Sequence, residues 1–242
     1  PSPWPAFVVS AVAAYIATLD MSIVNVAFAA IARSFPGSSR GTISWVVTAY
    51  SILFGSLLVV SGRMADRVGR RPLLQAGLGL FGIGSLVCAL SPGLGWLIAG
   101  RAVQGVGGAL LMPASLGVLL AAFPAERRSQ VVAWNGAAAA LGVASGPTLG
   151  ALFVGAFGWR SAFWINIPIC LAVSVLAWRA VREPPRRPGA RPDIAASLVL
   201  TLSVASLVWA ISRAEEQGWT DWSVLALLAV AAVFGAVVAH RS

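Results

Sequence analysis

The feature that most constrains this chain is a short basic stretch, residues 61–72, that lies between two long apolar runs. The runs cover residues 42–61 and 72–90, and each has about the 20 residues that a helix needs to cross a bilayer. The charged residues of the stretch are Arg63, Asp66, Arg67, Arg70 and Arg71. Gly62 and Gly69 are predicted to permit tight turning, so the stretch is expected to form a turn. Charges this close together cannot lie in hydrocarbon, so the stretch is predicted to lie at a membrane face. Because basic residues accumulate in cytoplasmic loops, that face is predicted to be the cytoplasmic one.

Composition indicates the same class for the whole chain. Of the 242 residues, 58% are hydrophobic and only 10% are charged, whereas soluble domains carry about 25% charged residues. The sequence therefore predicts an all-α integral membrane protein. Eight spans are expected, at about residues 6–32, 42–61, 72–90, 94–123, 131–157, 163–178, 194–211 and 224–239. The predicted domains are a six-helix bundle (1–181), a cytoplasmic linker (182–193) and two further transmembrane helices (194–242).

The distribution of basic residues predicts the orientation of the chain. All 17 basic residues are arginine, and with the N-terminus in the cytoplasm twelve fall in inner loops, four in outer loops and Arg101 within a span. This bias follows the positive-inside rule and favours an even number of spans with both ends in the cytoplasm. The net charge of +9 does not indicate a nucleic-acid partner, because the arginines lie in short loops rather than on one polar face.

Two ionisable residues within spans are the first candidate functional residues. Asp20 lies near the middle of the first span, followed by Asn25, and Arg101 lies in the fourth span, followed by Gln104. An ionisable residue inside a membrane is costly and marks an ion or substrate pathway by default. Arginine cannot deprotonate, so Arg101 is expected to act on a carboxyl group, for which Asp20 is the candidate, or on backbone groups. The alternatives are a structural hydrogen bond to a neighbouring helix through Asp20 or Asn25, and snorkelling of Arg101 to the outer face.

The fifth span carries a regular series of glycines. Gly142, Gly146 and Gly150 recur every four residues, which places them on one face of a helix. Small faces allow close helix contact in lipid, where packing drives association. Pro147 removes one backbone hydrogen bond and is predicted to kink this helix. A glycine-rich packing helix without further function is the alternative.

Five stretches, in this order along the chain, resemble motifs of the major facilitator superfamily, and in particular of its 14-span branch of drug-proton antiporters. They are residues 19–26, the pattern Gly62-x-x-x-Asp66-Arg67-x-Gly69-Arg70-Arg71, and residues 97–108, 142–150 and 158–168. The glycine-rich stretch departs from the family pattern at Ala151, where a second glycine is common. The chain is therefore similar to the N-terminal portion of such a transporter.

The resemblance implies secondary active export of drugs or other small amphipathic molecules, driven by inward proton flow across the plasma (inner) membrane through alternating access. The residues that it implies are Asp20, Asn25, Arg101 and Gln104 for proton coupling or substrate binding; Gly62, Asp66, Arg67, Gly69, Arg70 and Arg71 for a gating loop; and Gly142, Gly146, Pro147 and Gly150 for an antiporter helix. A dedicated metabolite exporter, an importer of the same superfamily and a non-transporting membrane scaffold stay open as alternatives.

The expected partners are a small-molecule substrate, protons, the lipid bilayer and a C-terminal six-helix half. That half is absent and the chain begins at Pro1, so a partial sequence is expected. No cofactor is expected beyond the proton gradient as an energy source. No metal is expected either, because Cys88 and Cys170 lie in apolar runs without a nearby Cys or His. An enzyme is not expected, since no clustered His, Cys or carboxylate site is present.

Overall fold

The computed structural model describes residues 2–181, 183 and 194–241, and within these residues the chain forms α-helices joined by short turns, without a β-strand. The helices are α1 (Trp4–Ser34), α2 (Arg40–Val68), α3 (Arg70–Leu90), α4 (Leu94–Ala122), α5 (Ala125–Phe157), α6 (Ser161–Trp164), α7 (Asn166–Ala180), α8 (Ile194–Gln217) and α9 (Trp222–Arg241). Six stretches, α1 to α5 and α6 with α7, are long and apolar enough to cross a membrane. Helices α8 and α9 contain shorter apolar stretches, Leu202–Ala214 and Trp222–Val237. The predicted fold class is confirmed.

Helix α4 packs against α2 and α3 and also contacts α1 and α5. It approaches α3 through two glycines of each helix, spaced seven residues apart: Gly77, Gly84, Gly100 and Gly107. A Cβ atom built at Gly84 would lie 2.7 Å from the backbone N of Gln104. Small residues allow this close approach of two backbones in lipid. The contact brings the middle of α3 next to Gln104.

The basic stretch between α2 and α3 differs from the turn predicted over residues 61–72. Helix α2 continues to Val68 and α3 starts at Arg70, so Gly69 alone separates them. With 29 residues, α2 exceeds the about 20 that span hydrocarbon, and its charged end extends beyond the apolar run. Gly69 has φ +113°, a conformation that favours glycine. The prediction that Gly62 permits turning is wrong, because this residue lies within α2.

The sixth predicted span, residues 163–178, is divided into α6 and α7. The break falls at Ile165, whose φ of −63° and ψ of −30° keep the two pieces close to one axis. Pro168 gives the physical reason, since it has no N–H to donate to the carbonyl of Trp164 and its ring crowds that carbonyl. Asn166 therefore lies in the first turn of α7, where it faces the bundle interior and is fully buried.

Helices α8 and α9 form a hairpin that packs against α2. The hydroxyls of Thr48 and Ser212 lie 3.2 Å apart. In the turn before α9, hydrogen bonds from the Ser223 hydroxyl and backbone N–H hold the pKa of the Asp221 carboxyl below its usual value. The predicted linker, residues 182–193, lies outside the described residues apart from Glu183.

Candidate functional site

Asp20 and Arg101 form an ion pair in the middle of the bundle. Arg101 Nη1 donates to Asp20 Oδ2 at 2.5 Å, and both residues are 1% exposed. Arg101 also donates through Nε to the carbonyl of Val46 (2.9 Å) and through Nη1 to Gln104 Oε1 (3.0 Å). Its Cζ lies 4.2 Å from the centre of the Tyr50 ring. The guanidinium is thus held by a carboxylate, two neutral acceptors and an aromatic face, and the snorkelling alternative for Arg101 is wrong.

The second carboxylate oxygen of Asp20 accepts hydrogen bonds from two side-chain amides. Gln104 Nε2 donates to Oδ1 at 3.2 Å and Asn166 Nδ2 donates to it at 2.9 Å. Gln104 is held in turn by Ser85, whose Oγ accepts from Nε2 at 2.7 Å, and by the Cys88 thiol, 3.5 Å from Oε1. We call the five central side chains the Asp20 cluster: Asp20, Ser85, Arg101, Gln104 and Asn166.

The charges of the Asp20 cluster balance. A buried ion pair is tolerated when its hydrogen-bonding groups are satisfied, and removal of one partner leaves a costly unpaired charge. Of the five side chains, those of Asp20 and Arg101 ionise, and arginine stays protonated. Among the five side chains, the carboxyl group of Asp20 is therefore the one whose charge can change.

Three of the four residues predicted for coupling or substrate binding come together in the Asp20 cluster, namely Asp20, Arg101 and Gln104. The fourth, Asn25, lies on an exposed face of α1 together with Met21 and is not part of the cluster. Sequence reasoning missed Ser85 and Asn166. The available signal was a polar residue within each of two apolar spans, since buried polar groups need a partner.

The residues predicted to form a gating loop lie at the end of the bundle where α2 meets α3, which we call the basic end. Asp66 and Arg70 form an exposed ion pair at 3.3 Å, one helical turn apart. Arg70 Nη1 also donates to the carbonyl of Gly117 on α4 at 2.6 Å, and Arg71 Nη2 donates to the carbonyl of Trp178 on α7. Arg67 is exposed. The arginines therefore connect α3 to two neighbouring helices.

Glu183 is a third residue that sequence reasoning missed. Its carboxylate accepts the backbone N–H groups of Arg70 and Arg71, each at 2.9 Å, at the start of α3. The first N–H groups of a helix have no partner within the helix and favour an anion. A Cβ atom at Gly69 would lie 2.5 Å from Glu183 Oε1, so glycine is needed there for space as well as for its backbone conformation. The contact ties the end of α7 to the start of α3.

The glycine face of α5 packs against α1. Gly142, Gly146 and Gly150 are buried, and their neighbours on α1, Thr18, Ser22 and Val26, have the same spacing of four residues. The hydroxyls of Thr18 and Ser22 donate across the contact to the carbonyls of Ala139 (2.9 Å) and Val143 (3.0 Å). The three glycines thus share one face, as their spacing predicts. Helix α5 runs through Pro147 without interruption.

Alanine at Gly142 or Gly146 is expected to destabilise the protein by about 1–3 kcal/mol, because the added methyl group overpacks this contact. At Gly142 the Cβ atom would lie 2.5 Å from the carbonyl O of Tyr15, and at Gly146 it would overlap Ser22. Thermal unfolding of the purified protein measures the effect. Gly136→Ala in the same helix is the matched control, since a Cβ atom there meets nothing within 4 Å. Equal midpoints for all three variants would contradict the expectation.

Within the described residues, no group of three or more His, Cys, Asp or Glu side chains is placed to hold a metal ion. Cys88 and Cys170 are both buried free thiols. The chemical groups of the Asp20 cluster are a carboxylate paired with a guanidinium, two hydrogen-bonding amides and a hydroxyl. They do not form a set of metal ligands or a nucleophile with its base.

Comparison with known proteins identifies relatives over almost the whole chain. Residues 10–240 match the model of the Major Facilitator Superfamily. The chain is 37% identical over 226 residues to the methylenomycin A resistance protein of Streptomyces coelicolor, covering 93% of this chain and 47% of that protein. It is 36% identical over 216 residues to the multidrug resistance protein Stp of Mycobacterium tuberculosis, covering 89% of this chain and 40% of that protein. The chain thus spans less than half the length of these two relatives.

A solved structure has the same fold. The crystal structure of a D-xylose-proton symporter superposes with a TM-score of 0.65 at 16% sequence identity, covering 99% of this chain and 67% of that chain. At this level of identity the likeness concerns the fold alone.

Proposed function

Because the chain belongs to the Major Facilitator Superfamily, as its motifs predicted, we propose that it forms part of a proton-coupled exporter of small amphipathic molecules that works by alternating access. The chain is a multi-pass membrane protein of a transporter family and not of an enzyme family. Its relatives include proteins named for resistance to methylenomycin A and to multiple drugs. A transporter family whose members include proteins named for resistance, together with the antiporter-like glycine motif of α5, favours outward transport.

The single observation that carries the proposal is the ion pair between Asp20 and Arg101. Both residues are buried at mid-bundle and joined at 2.5 Å. Ionisable residues in such positions belong to proton and substrate pathways by default. Protonation of Asp20 would cancel its charge and weaken the attraction to Arg101, which gives a physical link between a proton and the packing of α1 against α4. The proton gradient is the proposed energy source, with no cofactor.

The exposed face of α1 is the proposed contact for substrate. Met21 and Asn25 lie there one helical turn apart, on the same helix as Asp20 but outside its cluster. The apolar thioether of Met21 suits the apolar part of an amphipathic molecule, and the amide of Asn25 suits its polar part. Helix α5 is exposed along much of its length, at Leu141, Val143 and Leu152 among others. We propose that a second six-helix bundle covers that face and closes the cavity.

The basic end is proposed to face the cytoplasm of a cell whose plasma (inner) membrane holds the protein, with the N-terminus inside. The positive-inside bias of the arginines supports this orientation. In this arrangement Asp66 and its pair with Arg70 form part of a cytoplasmic gate. The pair is exposed, and exposed pairs contribute little to stability, so it can break and re-form during a transport cycle.

Efflux of a lipophilic cationic dye from cells that express the full-length protein tests the proposal. We expect efflux that stops when a protonophore collapses the proton gradient, with cells lacking the protein as the control. Dye accumulation in place of efflux would favour an importer. Absence of dye movement together with efflux of one endogenous metabolite would favour a dedicated exporter, and absence of any transport would favour a scaffold.

A further inference from the structure

Asn166 has a buried oxygen without a hydrogen-bond partner. In the part of the chain that the structure describes, the buried side-chain oxygens without a partner are Asn166 Oδ1 and the hydroxyl of Tyr50. The other end of the same amide is engaged, since Asn166 Nδ2 donates to Asp20 Oδ1 at 2.9 Å. Buried polar atoms are normally paired, so an unpaired one directly beside an ionisable group calls for an explanation.

Gln104, the second amide on the same oxygen of Asp20, is bound at both ends. Its Nε2 donates to Ser85 as well as to Asp20, and its Oε1 accepts from Arg101 and from the Cys88 thiol. Turning this amide over would disturb its contacts to all four neighbours. Turning the amide of Asn166 would break a single hydrogen bond, the one from Nδ2 to Asp20, because its oxygen has no partner.

We propose that Asn166 is a positioning residue that turns its side-chain amide when Asp20 gains or loses a proton. A proton taken from water onto Asp20 Oδ1 makes that oxygen a hydroxyl group, which donates one hydrogen bond and keeps one lone pair for Gln104 Nε2. The Nδ2 group then faces another donor, whereas rotation of the amide by half a turn brings Oδ1 into its place to accept. Release of the proton to water on the other side restores the arrangement in the structure. The inference rests on the proposed function of Asp20 as a proton carrier.

Other ionisable groups around Asp20 do not offer this acceptor. Arg101 on α4 has donors alone. The thiol of Cys88 on α3 is directed at Gln104, and the thiol of Cys170 on α7 packs in the apolar core of the bundle. Tyr50 on α2 lies beneath the guanidinium of Arg101. Rotation of Asn166 is therefore the simplest way to give a protonated Asp20 an acceptor.

Infrared difference spectra of the full-length protein in liposomes, recorded between a low and a high pH, test the inference. We expect a carboxylic acid C=O band from Asp20 and, with it, a shift of one side-chain amide C=O band. Asp20→Asn should remove both signals. Asn166→Leu should remove the amide signal and keep the carboxylic acid band. Asn135→Leu is the matched control, because Asn135 accepts from Ser10 on α1 at 2.9 Å, and it should keep both signals.

Transport gives a second readout. Asn166→Leu is expected to lower proton-driven efflux at least ten-fold, and Asn166→Ser, whose hydroxyl both donates and accepts, is expected to recover a substantial part of it at equal membrane expression. An amide signal that persists in Asn166→Leu, next to an intact Asp20 band, would overturn the rotation while the proposed function stands. Absence of any carboxylic acid band that depends on Asp20 would overturn the proposed function and this inference with it.

Discussion

Replacing Arg101 with methionine is expected to destabilise the protein by about 3–5 kcal/mol, because it leaves the carboxylate of Asp20 buried without its cation. Methionine keeps an unbranched apolar stem and carries no charge, so most of the loss comes from the ion pair. In the native structure Arg101 is 1% exposed and also holds the carbonyl of Val46 and the amide of Gln104. The three acceptors lose their donor together. Denaturant unfolding of the purified protein in detergent measures the change.

A second substitution tests whether the loss of stability comes from the unpaired charge of Asp20. Asp20→Asn added to Arg101→Met removes the unpaired charge and is expected to recover most of the lost stability, although not transport. Arg213→Met is the matched control for loss of an arginine, since Arg213 contacts Gln217 on the exposed side of α8 and should change stability by less than about 0.5 kcal/mol. A double variant no more stable than Arg101→Met would show that the two charges are not coupled.

The membrane class and most helices can be predicted from the sequence because few backbone structures are stable inside a bilayer. Backbone groups in hydrocarbon must be satisfied internally, so an apolar run of about 20 residues predicts a helix. The spacing of Gly142, Gly146 and Gly150 likewise determines a common face on any α-helix. Their partner helix, α1, was not predicted, because a glycine face shows that a close contact exists and not which helix makes it.

The turn between α2 and α3 shows where this reasoning fails. Hydropathy locates the edge of the hydrocarbon near residue 61 but not the end of the helix, since a helix continues into water when its polar residues allow it. The single residue that ends α2, Gly69, is identified by its positive φ and by the approach of Glu183. Glu183 lies more than a hundred residues away in the chain, and no local pattern connects the two.

The Asp20 cluster was predictable in part. Asp20 and Arg101 could be predicted as site residues because charges inside membrane spans are rare. The contributions of Ser85 and Asn166 depend on how α3 and α7 are rotated about their axes, which is set by packing. The Gly84 contact places Ser85 beside Gln104, and the break at Ile165 places Asn166 in the first turn of α7. The Gly84 contact is not visible without α4, and Pro168 alone does not show that Asn166 faces Asp20.

Helix α1 takes part both in the ion pair with Arg101 and in the contact with the glycine face of α5. One side presents Asp20 to α4 and α7, and another presents Thr18 and Ser22 to α5. Asp20 lies two positions from Thr18 and two from Ser22 in the chain, so the ion pair and the glycine contact share the same part of the helix.

The measurement that tests the proposed coupling most directly compares the full-length protein with its Asp20→Asn variant in proteoliposomes, at equal protein content. Two rates are recorded for a lipophilic cationic dye: net efflux driven by a proton gradient, and exchange of labelled for unlabelled dye without a gradient. The amide keeps the size of Asp20 but cannot release a proton. We predict that gradient-driven efflux falls to the rate of protein-free liposomes while exchange continues. Gradient-driven efflux by Asp20→Asn at the rate of the unmodified protein would contradict a coupling role for Asp20.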